Sequence, residues 1–226
     1  MRSKMTIKGI IFDFDGLIVD TETPELKAWQ ELFRRFNVEF SFDEYAQTIG
    51  MIYDDTSALD ILESKLNIPL DKSRLFKDFK KRKVELIDAQ PLRSGVLDVL
   101  KSAKSTGLKI GLASSAKLEW VSRYIQKHEI DHYFDCVKTR EDVANPKPDP
   151  ELYRVTLSCL ALEPGQVIAL EDSINGISAA RAAGVHTVAV PNSVTRIFDF
   201  SQANLVLQHL TDIPLKEMIA FFEKEV

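Results

Sequence analysis

The residues best suited to do chemistry stand in short polar segments that follow predicted strands. Asp13-Phe14-Asp15-Gly16 ends the first strand, Ser114-Ser115 the second, a loop after the third contains Lys147, and the fourth ends in Glu171-Asp172. Ligands of open α/β sheets bind beyond the carboxyl ends of the strands. We therefore expect carboxylates, hydroxyls and an ammonium group to meet at one edge of a sheet.

The acidic residues of these segments predict a magnesium site. Asp13 and Asp15 are separated by one residue, so in an extended strand their carboxylates would face the same side and repel each other unless a cation or a proton intervened. A cluster of oxygen ligands without histidine or cysteine is typical of Mg²⁺. Asp172, at a neighbouring strand end, would complete the site. Glu171 would be either a metal ligand or a hydrogen-bond acceptor for the residues around the metal.

The serines and the lysine predict a site for a phosphoryl group. Ser114 and Ser115 come just before a helix that is predicted to begin near Lys117, so a hydroxyl and the first helical amides can bind phosphoryl oxygens. Lys147 lies in the segment 145–150, where alternating prolines restrict the backbone and reduce the entropy lost when the ammonium is fixed. Together with Mg²⁺, this ammonium would supply the positive charge that phosphoryl transfer chiefly requires.

A carboxylate is the predicted nucleophile, because no serine, cysteine or histidine of the sequence stands in a visibly activating arrangement. Asp13, next to the metal and opposite Lys147, would attack phosphorus and form an acyl phosphate. Asp15 would protonate the leaving alkoxide and then act as the base toward an incoming water, a contribution of about 10²–10⁴ in rate.

Short apolar runs alternate with helical patterns along most of the chain. The runs at 7–14, 108–114, 133–139, 167–172 and 185–191 are apolar on both faces, as buried strands are. Between them, apolar residues recur with helical spacing, as they do over 96–103 before the helix-ending Gly107. This alternation predicts an α/β fold with a doubly wound parallel sheet.

Residues 20–91 interrupt the alternation. The segment shows helical patterns, such as Leu26, Trp29 and Phe33, and no convincing strand. A helical block of about 70 residues is too long for an ordinary crossover between strands. We therefore predict a helical cap at 20–91, inserted into a discontinuous α/β core formed by 1–19 and 92–226.

Composition and charge exclude several classes of protein. The 226 residues include 29 lysines and arginines against 34 aspartates and glutamates, a net charge of −5, which disfavours nucleic acid and anionic membranes as partners. The longest early apolar stretch is too short for a membrane span or a secretory signal. Cys136 and Cys159 cannot form a disulfide framework, so we expect a reducing cytoplasm. Nothing in the sequence demands more than a monomer or a homodimer.

The ordered segments resemble the four signatures of the haloacid dehalogenase (HAD) superfamily. Asp13-Phe14-Asp15-Gly16, Ser114, Lys147-Pro148 and the Glu-Asp-Ser-Ile-Asn-Gly run at 171–176 stand in the order of those signatures, and the helical insertion follows the first. The chain looks like the branch of β-phosphoglucomutase-like phosphatases with a helical cap. The resemblance implies a Rossmann-like core and a cap that closes over a small phosphorylated metabolite. It also implies Mg²⁺ held by Asp13, the backbone carbonyl of Asp15, and Asp172.

Departures from related patterns favour hydrolysis of phosphate esters. Dehalogenases of the superfamily lack an acidic residue where Asp15 stands. The β-phosphoglucomutases carry a histidine early in the first cap helix and an arginine shortly after the turn glycine of the cap, whereas this chain has Thr21-Glu22-Thr23-Pro24-Glu25 and Tyr53 in those neighbourhoods. We therefore predict a Mg²⁺-dependent hydrolase of small phosphomonoesters, such as sugar phosphates, that works through an aspartyl-phosphate.

Two other functions remain open at this stage. A phosphosugar mutase would use the same aspartates but return the phosphoryl group to a second hydroxyl of the substrate. A phosphoacceptor receiver module for signalling also places aspartates, a serine or threonine and a lysine at the edge of a parallel sheet. The acid Asp15 and the large helical insertion argue against the receiver module.

Overall fold

The chain divides into two units. The computed structural model describes residues 6–47 and 57–224. One unit comprises Met1–Val19 and Pro91–Val226, and the other comprises Asp20–Gln90. The second unit is therefore a continuous insertion into the sequence of the first.

The first unit contains a parallel sheet. The strands described are β1 (Gly9–Phe12), β2 (Lys109–Ala113), β3 (Cys136–Lys138), β4 (Val167–Glu171), β5 (His186–Ala189) and β6 (Leu205–Val206). Their order in the sheet is β3-β2-β1-β4-β5-β6, and all neighbouring strands run parallel. This is the strand order of the Rossmann fold, in which the order reverses between β1 and β4. The predicted α/β class with a Rossmann-like core is confirmed.

The register of the central strand β1 with its two neighbours brings the carboxyl ends of β1, β2 and β4 side by side. Phe12 pairs with Leu112 of β2 and with Leu170 of β4. Asp13 therefore leaves the sheet beside Glu171, at the point where the strand order reverses. All residues of β1 are buried, which explains why this run is apolar on both faces.

The strands are shorter than the apolar runs that predict them. Each of the five predicted runs contains a strand. Asp13, Ser114 and Asp172 lie just beyond the strand ends, whereas Glu171 is the last residue of β4 and pairs with Ala189 of β5. The sequence does not predict β6, because two residues at the edge of a sheet form no apolar run. Val206 in this strand is 51% exposed, so burial does not select an apolar pattern there.

The second unit is helical in its described residues, 20–47 and 57–90. Its helices are α1 (Glu22–Arg34), α2 (Phe42–Ala46), α3 (Ser57–Leu66) and α4 (Lys72–Asp88). The Trp29 ring of α1 stacks on the Phe79 ring of α4 with centroids 3.6 Å apart. Arg82 Nε of α4 donates to Glu31 Oε2 of α1 at 2.6 Å, so an ion pair joins the same two helices. Tyr53 and the preceding Gly50, where the cap turn is predicted, lie outside the described residues.

Helices of the first unit follow its strands. Those described are α5 (Val96–Ser105), α6 (Leu118–Lys127), α7 (Glu151–Leu160), α8 (Ile174–Ala182) and α9 (Leu215–Lys224). The apolar residues with helical spacing in 96–103 are buried, as predicted for α5. Ser173 caps the start of α8 by accepting a hydrogen bond from the Gly176 amide. None of the helices in the described ranges has the length and hydropathy needed to cross a membrane.

The two cysteines are joined, which the sequence does not predict. Cys136 of β3 and Cys159 of α7 form a disulfide. A single bond is not a disulfide framework, and the cytoplasmic location stays a prediction. The residues are 23 positions apart, and only the packing of α7 near β3 brings them together.

Candidate active site

The Lys147 ammonium lies at the centre of the polar groups that follow the strands. Its Nζ donates to a carboxylate oxygen of Asp13, to the backbone carbonyl of Ala113 at 2.8 Å and to Glu171 Oε1 at 2.6 Å. The Lys147 side chain is 5% exposed and Glu171 is fully buried. The loop after β3 therefore brings a cation to the ends of β1, β2 and β4, as the sequence predicts.

Burial and charge act against each other in this cluster. Burial, followed by the neighbouring Glu171 carboxylate, raises the pKa of Asp13 to about 8, although Lys147 opposes the shift. Burial by itself would lower the pKa of Lys147, but Asp13 and Glu171 outweigh it and raise that pKa above its ordinary value. Lys147 therefore stays an ammonium. The cluster holds more carboxylates than this one cation can neutralise.

Glu171 is held in place by donors from two helices. Tyr153 OH of α7 donates to Glu171 Oε1 at 2.6 Å, and Ser173 Oγ at the start of α8 donates to Oε2 at 3.2 Å. Burial and the Glu171 charge raise the pKa of Tyr153 well above its ordinary value, so its hydroxyl keeps its proton. A Cβ atom built on Gly176 would stand 1.9 Å from the Glu171 carboxylate. Glycine at this position therefore makes room for the carboxylate.

Asp172 is oriented by a residue beyond β5. Asn192 Nδ2 donates to Asp172 Oδ2 at 2.7 Å, and both side chains are buried. Asn192 Oδ1 accepts the amides of Val194 at 2.8 Å and Thr195 at 2.9 Å, which fixes the amide group. The loop after β5, the strand next to β4, therefore orients the Asp172 side chain.

The donor set of the site fits a hard divalent cation. Asp13, Glu171 and Asp172 each offer a carboxylate oxygen, and these atoms lie within 4.8 Å of one another. All three residues are buried, so a second cation beside Lys147, or a proton on Asp13, would relieve their mutual repulsion. Buried carboxylate oxygens without nitrogen or sulfur donors suit Mg²⁺. Over the described ranges, the Asp15 carboxylate is not part of this group of oxygens.

Asp15 lies in a tight turn after β1. Gly16 has a φ of 75°, in the left-handed region that favours glycine, and its amide donates to the Val19 carbonyl at 2.9 Å. The Arg93 guanidinium donates to the Gly16 carbonyl and to the Val190 carbonyl at 3.1 Å. The Asp15 side chain accepts a hydrogen bond from Trp120 Nε1 at 2.9 Å.

The predicted phosphate-binding serines differ in exposure. Ser114 is buried, and its Oγ accepts the Ala116 amide at 3.0 Å, whereas Ser115 is exposed. The first amide of α6, at Leu118, donates to Glu141 Oε2 at 3.0 Å. A side chain therefore already caps the helical amide that is predicted to bind phosphate. Helix α6 itself begins at Leu118, next to the predicted start.

Several residues that shape the site are absent from the sequence-based set. They are Arg93, Trp120, Tyr153 and Asn192. Asn192 carries a usable signal, because it directly follows the fifth predicted strand, which ends at 191. Polar residues that follow strands tend to form the site. The same reasoning, applied to the fifth strand, predicts Asn192 as a site residue. Trp120 and Tyr153 lie inside helices, where an aromatic residue is most often part of the core.

The sheet order, the buried carboxylates and the central lysine are those of a phosphoryl-transfer site on a Rossmann-like core. The chain belongs to the haloacid dehalogenase-like hydrolase family, whose sequence model matches residues 10–190. The predicted superfamily is confirmed.

Individual relatives cover nearly the whole chain. It is 36% identical over 213 residues to the protein named "Putative phosphatase YhcW" of Bacillus subtilis, with 92% of this chain and 94% of the relative aligned. It is 28% identical to hexitol phosphatase B of Escherichia coli, over 97% of this chain and all of the relative. The crystal structure of a CbbY variant from Rhodobacter sphaeroides in complex with xylulose-1,5-bisphosphate matches with a TM-score of 0.71 and 26% identity, covering 92% of this chain and 96% of that one. The predicted enzyme class, a phosphatase of this superfamily, is confirmed.

Proposed function

We propose that this phosphatase hydrolyses small phosphomonoesters of the sugar phosphate type, with Mg²⁺, through an aspartyl-phosphate on Asp13. The observation that carries the proposal is the buried Lys147 ammonium bonded to Asp13 at the point where the strand order reverses, with Asp172 nearby. An ammonium and a carboxylate side by side are suited to receive a phosphoryl group, because one neutralises its oxygens and the other attacks its phosphorus.

The residues assigned to the metal are Asp13, Asp172 and the backbone carbonyl of Asp15. When bound, Mg²⁺ supplies positive charge that favours the ionised form of Asp13 and offsets the charge of the phosphoryl oxygens. Glu171 is assigned a different role. Its oxygens accept hydrogen bonds from Lys147, Tyr153 and Ser173. We therefore propose that Glu171 fixes the position of the Lys147 ammonium.

The reaction then proceeds in two displacement steps. The Asp13 carboxylate attacks phosphorus while the ester P–O bond breaks, and Asp15 gives a proton to the leaving alkoxide. Asp15 next takes a proton from water, whose oxygen attacks the same phosphorus and releases Asp13 and inorganic phosphate. Lys147 neutralises phosphoryl oxygens in both steps, and Ser114 and Ser115 bind them from the end of β2.

The relatives support a small phosphorylated polyol as the substrate. Hexitol phosphatase B is named for a sugar-alcohol phosphate, and the CbbY variant binds a pentulose bisphosphate. The phosphosugar mutase is the alternative that uses the same groups. The cytoplasmic location and the choice between a monomer and a homodimer stay predictions.

Phosphate release tests the proposal directly. We expect steady release from members of a panel of phosphorylated sugars and polyols. Chelation of divalent metal with EDTA should abolish it and added Mg²⁺ should restore it. Asp13→Asn should be inactive, whereas Asp98→Asn, the same change at an exposed site on α5, should keep full activity. Interconversion of hexose phosphates without net release would identify a mutase, and a long-lived phosphoprotein without turnover would identify a receiver module.

The acid–base role of Asp15 is tested separately. Asp15→Asn should slow turnover by about 10²–10⁴. Mg²⁺ affinity, measured by calorimetry, should change little, because the metal contact assigned to this residue is made by its backbone carbonyl. A variant with a rate near that of the wild type would refute the role.

A further inference from the structure

The Asp15 carboxyl accepts a hydrogen bond from a tryptophan that lies far away in the sequence. Trp120 Nε1 of α6 donates to Asp15 Oδ1 at 2.9 Å, across 105 positions. An indole N–H is only a donor, so it can bond a carboxylate oxygen or the carbonyl oxygen of a protonated carboxyl group. The hydrogen bond can therefore persist in both forms that a general acid and base adopts.

Aromatic packing holds the indole in place. The Trp120 ring meets the Tyr124 ring at a centroid distance of 4.7 Å and an angle of 64°, an edge-to-face contact. Tyr124 is fully buried, and its ring centroid lies 6.2 Å from that of Phe14. Phe14 is the residue between Asp13 and Asp15, so Trp120 is packed, through Tyr124, against the same backbone segment whose side chain it bonds.

The backbone of Asp15 is restrained independently of Trp120. The Gly16 amide bonds the Val19 carbonyl at 2.9 Å, and Arg93 bonds the Gly16 carbonyl. With the backbone fixed, the freedom that remains to the Asp15 carboxyl is rotation about its two side-chain torsions. The bond from Trp120 acts on that rotation.

We propose that Trp120 is a positioning residue that orients the Asp15 carboxyl for proton transfer to the leaving group. The inference rests on the proposed function, in which Asp15 is the general acid. Displacement of a catalytic group by about 1 Å can cost about 10²-fold in rate. Loss of one of several restraints on Asp15 should cost less, so we expect about a tenfold effect from removal of the indole N–H.

The leaving group of the substrate distinguishes positioning from a general structural role. Trp120→Phe keeps an aromatic ring but removes the donor. An alkyl phosphate needs an acid to protonate its alkoxide, whereas p-nitrophenyl phosphate releases a stable phenolate without one. We expect kcat/KM of the variant to fall about tenfold for the best sugar phosphate of the panel and less than about twofold for p-nitrophenyl phosphate. An equal fall for both esters, or no fall for either, overturns the proposal.

A second measurement does not require that variant to fold. The chain has two tryptophans, Trp29 and Trp120, so the ¹⁵N–¹H spectrum contains two indole signals, and Trp29→Phe assigns them. Asp15→Ala should shift the Trp120 signal and leave the Trp29 signal in place. An unmoved Trp120 signal contradicts the hydrogen bond and the proposal with it. If the wild type hydrolyses neither ester, the proposed function itself fails; with an active wild type, the ester ratio and the indole signal decide on Trp120 alone.

Discussion

Removal of the Lys147 charge is expected to destabilise the first unit as well as to impair catalysis. The ammonium is bonded to the carboxylates of Asp13 and Glu171 and is almost inaccessible to water. Lys147→Met keeps the length and the apolar part of the side chain but leaves both carboxylates without the cation they share. Loss of one partner of a buried ion pair costs about 3–5 kcal/mol. This is a large part of the roughly 5–15 kcal/mol that stabilises a typical domain.

Urea unfolding in EDTA measures this cost without any contribution from bound metal. The matched control is Lys101→Met, which makes the same change at an exposed position on α5. We expect the free energy of unfolding to fall by about 3–5 kcal/mol for Lys147→Met and to change by about 0.5 kcal/mol or less for Lys101→Met. Added Mg²⁺ should restore part of the stability of Lys147→Met, because a ligand that binds the folded state stabilises it.

The activity of the same two variants completes the test. Loss of a preorganised positive charge at the phosphoryl group should lower kcat by about 10²–10³ for Lys147→Met, while Lys101→Met should match the wild type. A metal-free Lys147→Met protein that loses less than about 1 kcal/mol would refute the reasoning. The buried carboxylates would then not depend on the ammonium for their stability.

Three further predictions concern two residues that contact or adjoin Glu171 and the disulfide between β3 and α7. Tyr153→Phe removes a buried donor to Glu171 and should lower the free energy of unfolding in urea by about 1.5–3 kcal/mol. An unchanged midpoint contradicts the hydrogen bond. Gly176→Ala should lower kcat about tenfold or more even though alanine favours a helix by about 1 kcal/mol, because its Cβ displaces the Glu171 carboxylate; a fully active variant would show that the carboxylate can move without consequence. Cys159→Ser opens a disulfide that spans 23 positions and should cost about 3 kcal/mol of unfolding free energy. Dithiothreitol should destabilise the wild type as much as this substitution does, and a reductant without effect on the wild type would contradict the bond.

The chemistry of the site is largely predictable because it lies at the ends of strands. Apolar runs mark buried strands, and polar residues that follow them gather at one edge of a parallel sheet whatever the order of the strands. For this reason the sequence alone assigns Asp13, Lys147 and Asp172 to one cluster. The same rule fails for Trp120 and Tyr153, since an aromatic residue on a helix gives no signal that separates a site residue from the core.

The sequence by itself determined the α/β class and the set of polar groups at the sheet edge, because both follow from patterns within short stretches of chain. The tertiary structure decided which side chains hold those groups in place. Asp15 and Trp120 are 105 positions apart, and Glu171 and Tyr153 are 18 apart. Such pairs meet only through the order of the strands and the direction in which each loop returns over the sheet. These depend on the packing of the whole core, so no local pattern encodes them.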